Sequence, residues 1–314
     1  MKETAALGVD IGGTNVRLGV MSPDGRLLRA ERWPMGPRRA VREFAAELHG
    51  YIDQVLAGSG DITLTGMGIG VKGYVDYARQ VLAGSSIVNT DETYDLCGEL
   101  SRRYGLPVVI DNDVNAATAA EIRFGAGRRH KNFVYFNIGT GAAVGIVTEG
   151  RLMRGADNDA GEMGRCRVGD VGGPFRVFEV TVSGKGLDRD ARRLAPEYPD
   201  SVLAGLLGDE QPIHAERIYE ACRAGDRLAR ALVDDMTRLL ALTLLNMEFL
   251  LNARLYVFGG GAVGGEWFMD TLRGAIDEFC EQNNIRMRRP EVRLSELGAG
   301  DVGLLGAACI ALDL

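Results

Sequence analysis

Cysteine is scarce. The chain has five in 314 residues, at Cys97, Cys166, Cys222, Cys280 and Cys309, with no C-x-x-C pair. A scattered, odd-numbered set excludes a disulfide framework and reads as the reduced thiols of a cytoplasmic protein. Long hydrophobic runs are missing too. No early apolar stretch resembles a signal peptide and none is long enough to span a bilayer, so neither export nor a membrane partner is expected. Basic residues never gather into a stripe, and the net charge is −7. The short clusters Arg38-Arg39 and Arg128-Arg129-His130-Lys131 read as solvated helix ends or loops, which speaks against nucleic acid as a partner. No Pro- or Ser-rich linker and no low-complexity segment divides the chain. The remainder is an ordinary globular composition, 46% hydrophobic and 25% charged, sufficient for one large domain or two mid-sized ones.

Glycine, by contrast, is plentiful at 43 residues, and it clusters where strands end: Gly12-Gly13, Gly139 with Gly141, and Gly259-Gly260-Gly261. Glycine there lets backbone approach a ligand closely or take positive φ. Two of these clusters belong to an internal echo. Leu7 to Thr14 leads through an apolar alternation to Asp24-Gly-Arg-Leu27, and Val134 to Gly141 leads through another to Glu149-Gly-Arg-Leu152. Both read as strand, Gly/Thr turn, strand, acidic-Gly-Arg-Leu turn, new strand. Two copies of one hairpin point to two related α/β domains, each presenting a Gly/Thr loop to a shared cleft. Helical spacing recurs at Val41, Phe44, Leu48, Ile52 and Val55, over Leu228 to Leu250 behind an Asp226 N-cap, over Val114 to Phe124, and over Val302 to Leu312. Strands alternating with helices give an α/β class with buried sheets.

Five motifs are candidates for chemistry. In Asp10-Ile-Gly-Gly-Thr14 the small residues Gly12, Gly13 and Thr14, with Asn15 behind them, leave backbone N–H groups for phosphate oxygens. A carboxylate beside phosphate is repelled unless a cation intervenes, so Asp10 fits a holder of Mg²⁺, directly or through water. Gly139-Thr140-Gly141 offers the same donors, but Asn137 stands in the carboxylate's place. Neither loop is a Walker A loop or a GxGxxG fingerprint. Gly259 to Gly261 follows a buried strand and suits adenine or ribose lying against backbone. Asn112-Asp113 follows the strand Val108 to Ile110 and opens a helix. Asn112 can donate and accept, and Asp113 can take a hydroxyl proton or simply cap the helix. Gly161-Glu162-Met163-Gly164 and Glu179 carry carboxylates that read, unaided, as solvated acids.

These pieces occur in one order, with Arg17 after the first loop, Gly66 to Gly73 and then Val75-Asp76, Asn112-Asp113-Val-Asn115-Ala-Ala, Ser183-Gly184 after Glu179, and a closing Gly303-Leu-Leu-Gly-Ala-Ala308. The ordered set resembles the ROK family of sugar kinases, over about Leu7 to Ala308. The resemblance implies an α/β, two-lobed actin-like ATPase (ribonuclease H-like) fold with duplicated domains around a central cleft. Residues 1–115 would form a small N-terminal lobe, with a C-terminal helix at 302–314 packing back on it, and 116–301 a larger C-terminal lobe. It implies ATP-dependent phosphorylation of a sugar hydroxyl, the 6-hydroxyl of a hexose or amino sugar. Asp113 would be the general base, and Asn112, Glu162 and Glu179 would hold sugar hydroxyls. Asp10, Gly12, Gly13, Thr14 and Asn15 would place Mg²⁺ and the phosphates, with Gly139, Thr140 and Gly141 opposite, and Gly260 and Gly261 bordering the adenosine. It also implies a homodimer.

The chain departs from the family around Arg165. Many members have His there, followed by a cysteine cluster that binds a structural zinc. Here Arg165 replaces the His, only Cys166 lies between it and Glu179, and Gly169 to Pro174 stands where the cluster would be. Four zinc ligands are not present in this window, so no structural zinc is expected. Arg165 either binds an anionic group of the substrate or bridges to Glu162 or Glu179. Lys72, in a loop that usually carries a smaller residue, is a second departure. Two further classes compete with the kinase. A repressor of the same family would carry a helix-turn-helix ahead of the first loop, for which Leu7 leaves no room. A catalytically weak sugar- or nucleotide-sensing protein of the same fold would have no need of Asp113 as a base.

Overall fold

The computed structural model describes residues 3–60, 62–90, 93–168, 175–206, 212–298 and 301–312. In chain order its strands and helices are β1 (Glu3–Ile11), β2 (Asn15–Met21), β3 (Leu27–Pro34), α1 (Val41–Ala57), β4 (Ile62–Val71), β5 (Gly73–Asp76), β6 (Val81–Ser85), α2 (Leu96–Tyr104), β7 (Val108–Asn112), α3 (Asp113–Arg123), β8 (Phe133–Ile138), β9 (Ala142–Thr148), β10 (Arg151–Leu152), β11 (Arg167–Val168), β12 (Arg176–Val177), α4 (Phe178–Val182), α5 (Gly184–Leu194), α6 (Ala215–Arg223), α7 (Arg227–Leu251), β13 (Leu255–Gly259), α8 (Gly265–Gln282), β14 (Glu291–Leu294) and α9 (Val302–Ala311). They divide into two compact units. Unit 1 comprises Met1–Arg129, Gly150–Ala160 and Gly300–Leu314; unit 2 comprises His130–Glu149 and Gly161–Ala299. Each unit has its own hydrophobic core.

In unit 1 the sheet order is β3-β2-β1-β4-β7. β1 and β2 form an antiparallel hairpin, and β4 and β7 run parallel to β1. In unit 2 the strands run β9-β8-β13-β14, again an antiparallel hairpin followed by two parallel strands. The repeated hairpin of the sequence is thus a repeated topology. Its physical source is the same in both copies: an almost wholly apolar first strand, buried at Ala5 to Ile11 and from Phe133 to Phe136, that must sit at the centre of its sheet.

Two helices position the first site. α3 begins where β7 ends. α9 is apolar on every side and nearly all buried, so it lies sandwiched rather than on the surface. It approaches the sheet closely because the facing positions are small. A Cβ on Gly68 of β4 would lie 1.9 Å from the Ala307 carbonyl oxygen, and one on Gly306 would lie 2.2 Å from the Ala116 carbonyl oxygen of α3. A boundary at residue 115 cuts through α3. In the structure α3 packs along α9, and unit 1 runs on to Arg129 and takes in Gly150–Ala160.

α7 starts at the Asp226 N-cap, whose side chain accepts from the Ala229 N–H. It ends at Asn252 in the left-handed conformation. No described helix is long and apolar enough to cross a membrane.

Candidate active site

In unit 1 three parallel strand ends bring the sequence candidates together. Asp10 lies beside Gly70 in the β1–β4 register, and Gly70 beside Asp111 in the β4–β7 register. Asp10 is buried, and burial pushes its carboxyl above the ordinary carboxylate value even though Arg17 opposes the shift. Arg17 is its cross-strand partner and donates from Nε at 2.9 Å and Nη2 at 2.5 Å, both to Oδ2. The first turn of α9 closes on this pair: a Cβ on Gly303 would lie 3.0 Å from Asp10 Oδ2.

The loop after Asp10 is a tight turn closed by Gly12 N–H donating to the Asn15 carbonyl at 3.0 Å. Gly13 and Thr14 are exposed at its tip, and the Asn15 side chain accepts from Arg32 Nε. Lys72 lies over the loop, its Cδ 3.7 Å from where a Gly13 Cβ would stand.

Asp113 opens α3. Its carboxyl is pushed up to about 6, first by burial, then by the negative charge of Asp10, with the Lys72 ammonium pulling the other way. Deep placement with part of its surface still accessible is what a base needs to stay poised near neutrality and yet reach a substrate. The helix cap is not Asp113, however. Asn112 Oδ1 accepts from the Val114 N–H at 2.8 Å and the Asn115 N–H at 3.4 Å, while Asn112 Nδ2 donates to the Gly73 carbonyl. Asp113 Oδ1 accepts from the backbone N–H of Val114 at 3.1 Å.

Sequence reasoning passed over Asp111, the most enclosed acid of the group, at 0% exposure. Its carboxylate accepts from Arg154 Nη1 at 2.5 Å, from Asn158 Nδ2 and Asn115 Nδ2 at 3.1 Å each, and from the Asn112 N–H at 2.8 Å. A buried ion pair with its lone pairs satisfied holds the strand end rigidly just ahead of Asp113. The available signal was the neighbouring carboxylate in Ile110-Asp-Asn-Asp113, but Arg154 and Asn158 lie more than 40 residues away, and nothing in their spacing announces a partner.

In unit 2, Gly139 to Gly141 and Gly259 to Gly261 lie at adjoining carboxyl ends of β8 and β13, with Asn137 paired to Gly259. The Gly261 nitrogen is 4.0 Å from where a Gly139 Cβ would stand, and Gly261 itself is exposed with open space around it. Glu179 braces the first of these loops: its Oε2 accepts from the Ala142 N–H at 3.0 Å and would lie 2.4 Å from a Cβ on Gly141. Gly161 has φ +95 and a Cβ there would lie 1.9 Å from the Val144 carbonyl oxygen, so the Gly161-Glu162-Met163-Gly164 loop is laid directly on β9. Arg165 Nε lies 3.2 Å from Glu162 Oε2, and both side chains are exposed. Such a pair is worth little in stability. Residues 169–174, where the sequence departs from the family's cysteine cluster, lie outside the described residues.

The donor set around Asp10 fits Mg²⁺. The site offers hard oxygen ligands and two mutually repelling carboxylates, and Mg²⁺ takes one or two carboxylates together with phosphate oxygens and water.

A family model described as the ROK family matches residues 6–314. The glucokinase of Streptomyces coelicolor is 31% identical over 98% of this chain and 97% of its own. The glucokinase of Thermotoga maritima is 29% identical over 99% of this chain and 98% of its own. The crystal structure of a ROK family glucokinase from Streptomyces griseus, in complex with glucose and AMPPNP, superimposes with a TM-score of 0.81 at 30% identity, covering 99% of this chain and 100% of that one.

Proposed function

This chain belongs to the ROK family and is a sugar kinase, and we propose that it transfers the γ-phosphoryl group of ATP to the 6-hydroxyl of a hexose or amino sugar, with Asp113 as general base. The observation that carries this reading is Asp113 itself, a partly accessible carboxylate at the end of β7 whose proton affinity is raised to about 6.

The sugar hydroxyl oxygen attacks the γ-phosphorus as its proton passes to Asp113, the bond from phosphorus to the β–γ bridging oxygen breaks, and ADP leaves. Phosphoryl transfer of this kind depends on positioning and charge neutralisation rather than covalent catalysis. Asp10 would hold Mg²⁺, which supplies positive charge to the phosphate oxygens. The Gly12 to Asn15 turn is assigned to the phosphates, and Lys72, reaching over Gly13 with its charge felt at Asp113, supplies a further cation to the phosphoryl group in flight. In unit 2, Gly139 to Gly141 are assigned to phosphate and Gly260 and Gly261 to adenosine. Asn112, Glu162 and Glu179 are assigned to the sugar hydroxyls. One Nδ2 proton of Asn112 remains to donate after its bond to Gly73. Arg165, paired with Glu162, is assigned with that acid to the substrate end of the site.

The test is ADP release with Mg-ATP over a panel of hexoses and amino sugars, with the product identified by mass. Sugar-dependent ADP formation yielding a sugar monophosphate supports the kinase. Melting temperatures that rise with a sugar while no sugar raises ADP release would establish the sensing protein instead.

A further inference from the structure

A cavity of about 500 Å³ lies in unit 2 beside the edge strand β14, walled by α8 and by the turn that enters β14. Arg273 lines it from α8, Arg288 and Arg289 from the turn, and Arg293 from β14, so packing rather than sequence assembles the cluster. We propose that this cavity binds the phosphate group of a small phosphate monoester, at a place separate from the phosphate loops assigned above. The site does not depend on the kinase reading.

Charge is the first argument. The lining carries four guanidinium groups against two carboxylates, in a chain whose net charge is −7. Both carboxylates are already engaged: Asp277 accepts from Arg289 Nε at 2.8 Å, and Glu291 is paired with Arg293. Arg273 is met by Asp270 and Glu266, but these stand outside the lining with exposed side chains, where water screens them. Arg288 has neither a hydrogen bond nor an ion pair among the described residues. A lining with two more positive than negative groups suits a phosphate monoester, which carries close to two negative charges at neutral pH, better than a single carboxylate. Guanidinium forks also match phosphate oxygens in pairs.

The cavity is organised before any ligand arrives. Arg289 Nη1 donates to the carbonyls of Ile285 at 3.4 Å and Met287 at 3.2 Å while its Nε holds Asp277. Arg273 Nη2 donates to the Val292 carbonyl at 3.0 Å and ties α8 to β14. Fixing these long side chains in advance lowers the entropy lost on binding. Between them the wall is apolar, with Ile276, Pro290 and Val292 buried, so the guanidinium groups are left to meet a ligand's oxygens. The volume lies within the range of about 300–1,000 Å³ typical of small-ligand sites and leaves room for the organic part of the ester. Nor does the cavity coincide with the glycines assigned to adenosine. Arg288, Arg289 and Pro290 precede Glu291, which pairs with Leu255 at the start of β13, and Gly259 to Gly261 stand at the other end of that strand.

The experiment is calorimetric titration of the full-length chain with inorganic phosphate and with glucose 6-phosphate at constant ionic strength. It compares the wild type with Arg288→Ala and Arg288→Glu, and Mg-AMPPNP and glucose are present to occupy the catalytic loops. Arg288 is exposed and unpaired, so both variants should melt within about two degrees of the wild type without ligand. We expect saturable binding of at least one probe at a single site, weakened about tenfold in Arg288→Ala and lost in Arg288→Glu. The same probe should raise the melting temperature of the wild type and not that of Arg288→Glu. Similar affinities for the two probes would show that phosphate alone is read, and tighter binding of the sugar ester that its organic part also enters the cavity. No saturable binding of either probe, or equal affinity in the wild type and Arg288→Glu, overturns the site and leaves the kinase reading untouched. Failure of sugar-dependent ADP release would in turn leave this site standing.

Discussion

Asp10 and Arg17 are direct cross-strand partners on β1 and β2, and two guanidinium nitrogens of Arg17 converge on a single oxygen of Asp10, Oδ2. The arrangement neutralises a buried carboxylate from one side only. Replacing Arg17 by Met leaves that carboxylate without its opposing charge, and its proton affinity, already raised by burial, climbs further. The variant is expected to lose about 2 kcal/mol of stability and to need severalfold more Mg²⁺ for half-maximal velocity, with the sugar KM unchanged. A Mg²⁺ titration at fixed ATP checks this; an unaltered Mg²⁺ requirement removes Asp10 from the metal role.

Asp113 carries an opposite cost. Its folded pKa of about 6 stands above the ordinary 3.8, so the folded state binds the proton more tightly than the unfolded chain. Stability from this group is therefore full below about pH 4 and is lost as pH rises through 6. Asp113→Asn removes the charge and is expected to raise stability by on the order of 1–2 kcal/mol at pH 7.5, after allowance for the accessible part of the side chain. Thermal melts at pH 7.5 and pH 4 should show a gain of a few degrees at the higher pH and none at the lower.

Arg154→Ala leaves the buried carboxylate of Asp111 with amide donors in place of its ion pair. A loss of roughly 3 kcal/mol is expected. Because Asp111 fixes the backbone of Asn112, kcat should also drop about 10- to 100-fold, with KM for ATP little changed. Arg154→Lys should recover stability better than rate, since an ammonium restores charge without the planar fork. Equal losses in kcat and in thermal stability that vanish together in the Lys variant would make the network purely structural.

Two glycines should respond differently to Ala. At Gly161 the added methyl meets the Val144 carbonyl oxygen at 1.9 Å, and φ is +95, so backbone must move; a loss of about 2–4 kcal/mol is expected. At Gly141 the methyl meets the carboxylate end of Glu179, which can swing away but only by releasing the Ala142 N–H. Gly141→Ala should fold with near-native melting and show a raised sugar or ATP KM, measured by steady-state kinetics.

The repeated fold was legible because it is written locally. Each hairpin carries its own apolar alternation and its own turn residues, and Asp226 and the spacing of Leu228 to Leu250 announce a long helix without help from elsewhere. The loop residues Asp10 to Thr14 and Asn112-Asp113 were legible for the same reason. Helix capping by Asn112 rather than Asp113 was not, since either residue type caps equally well and only the backbone decides. The place of α3 in unit 1 was hidden because its partner, α9, lies at the far end of the chain. Lys72 was visible as a departure in its loop, but its relation to Gly13 and Asp113 comes from packing. The Asp111–Arg154–Asn158 cluster depends wholly on tertiary contact.

The pH dependence of kcat/KM for the sugar tests the central assignment most directly, because it reports the ionisation of the base in the form of the enzyme that awaits the sugar. With Mg-ATP saturating, kcat/KM is expected to be level above pH 7 and to fall about tenfold per unit below about 6. In the Asp113→Asn variant turnover drops by about 10²–10⁴ and that acid limb disappears. A wild-type profile that stays level from pH 7.5 to 5, together with an Asp113→Asn variant that retains its turnover, would contradict Asp113 as the base.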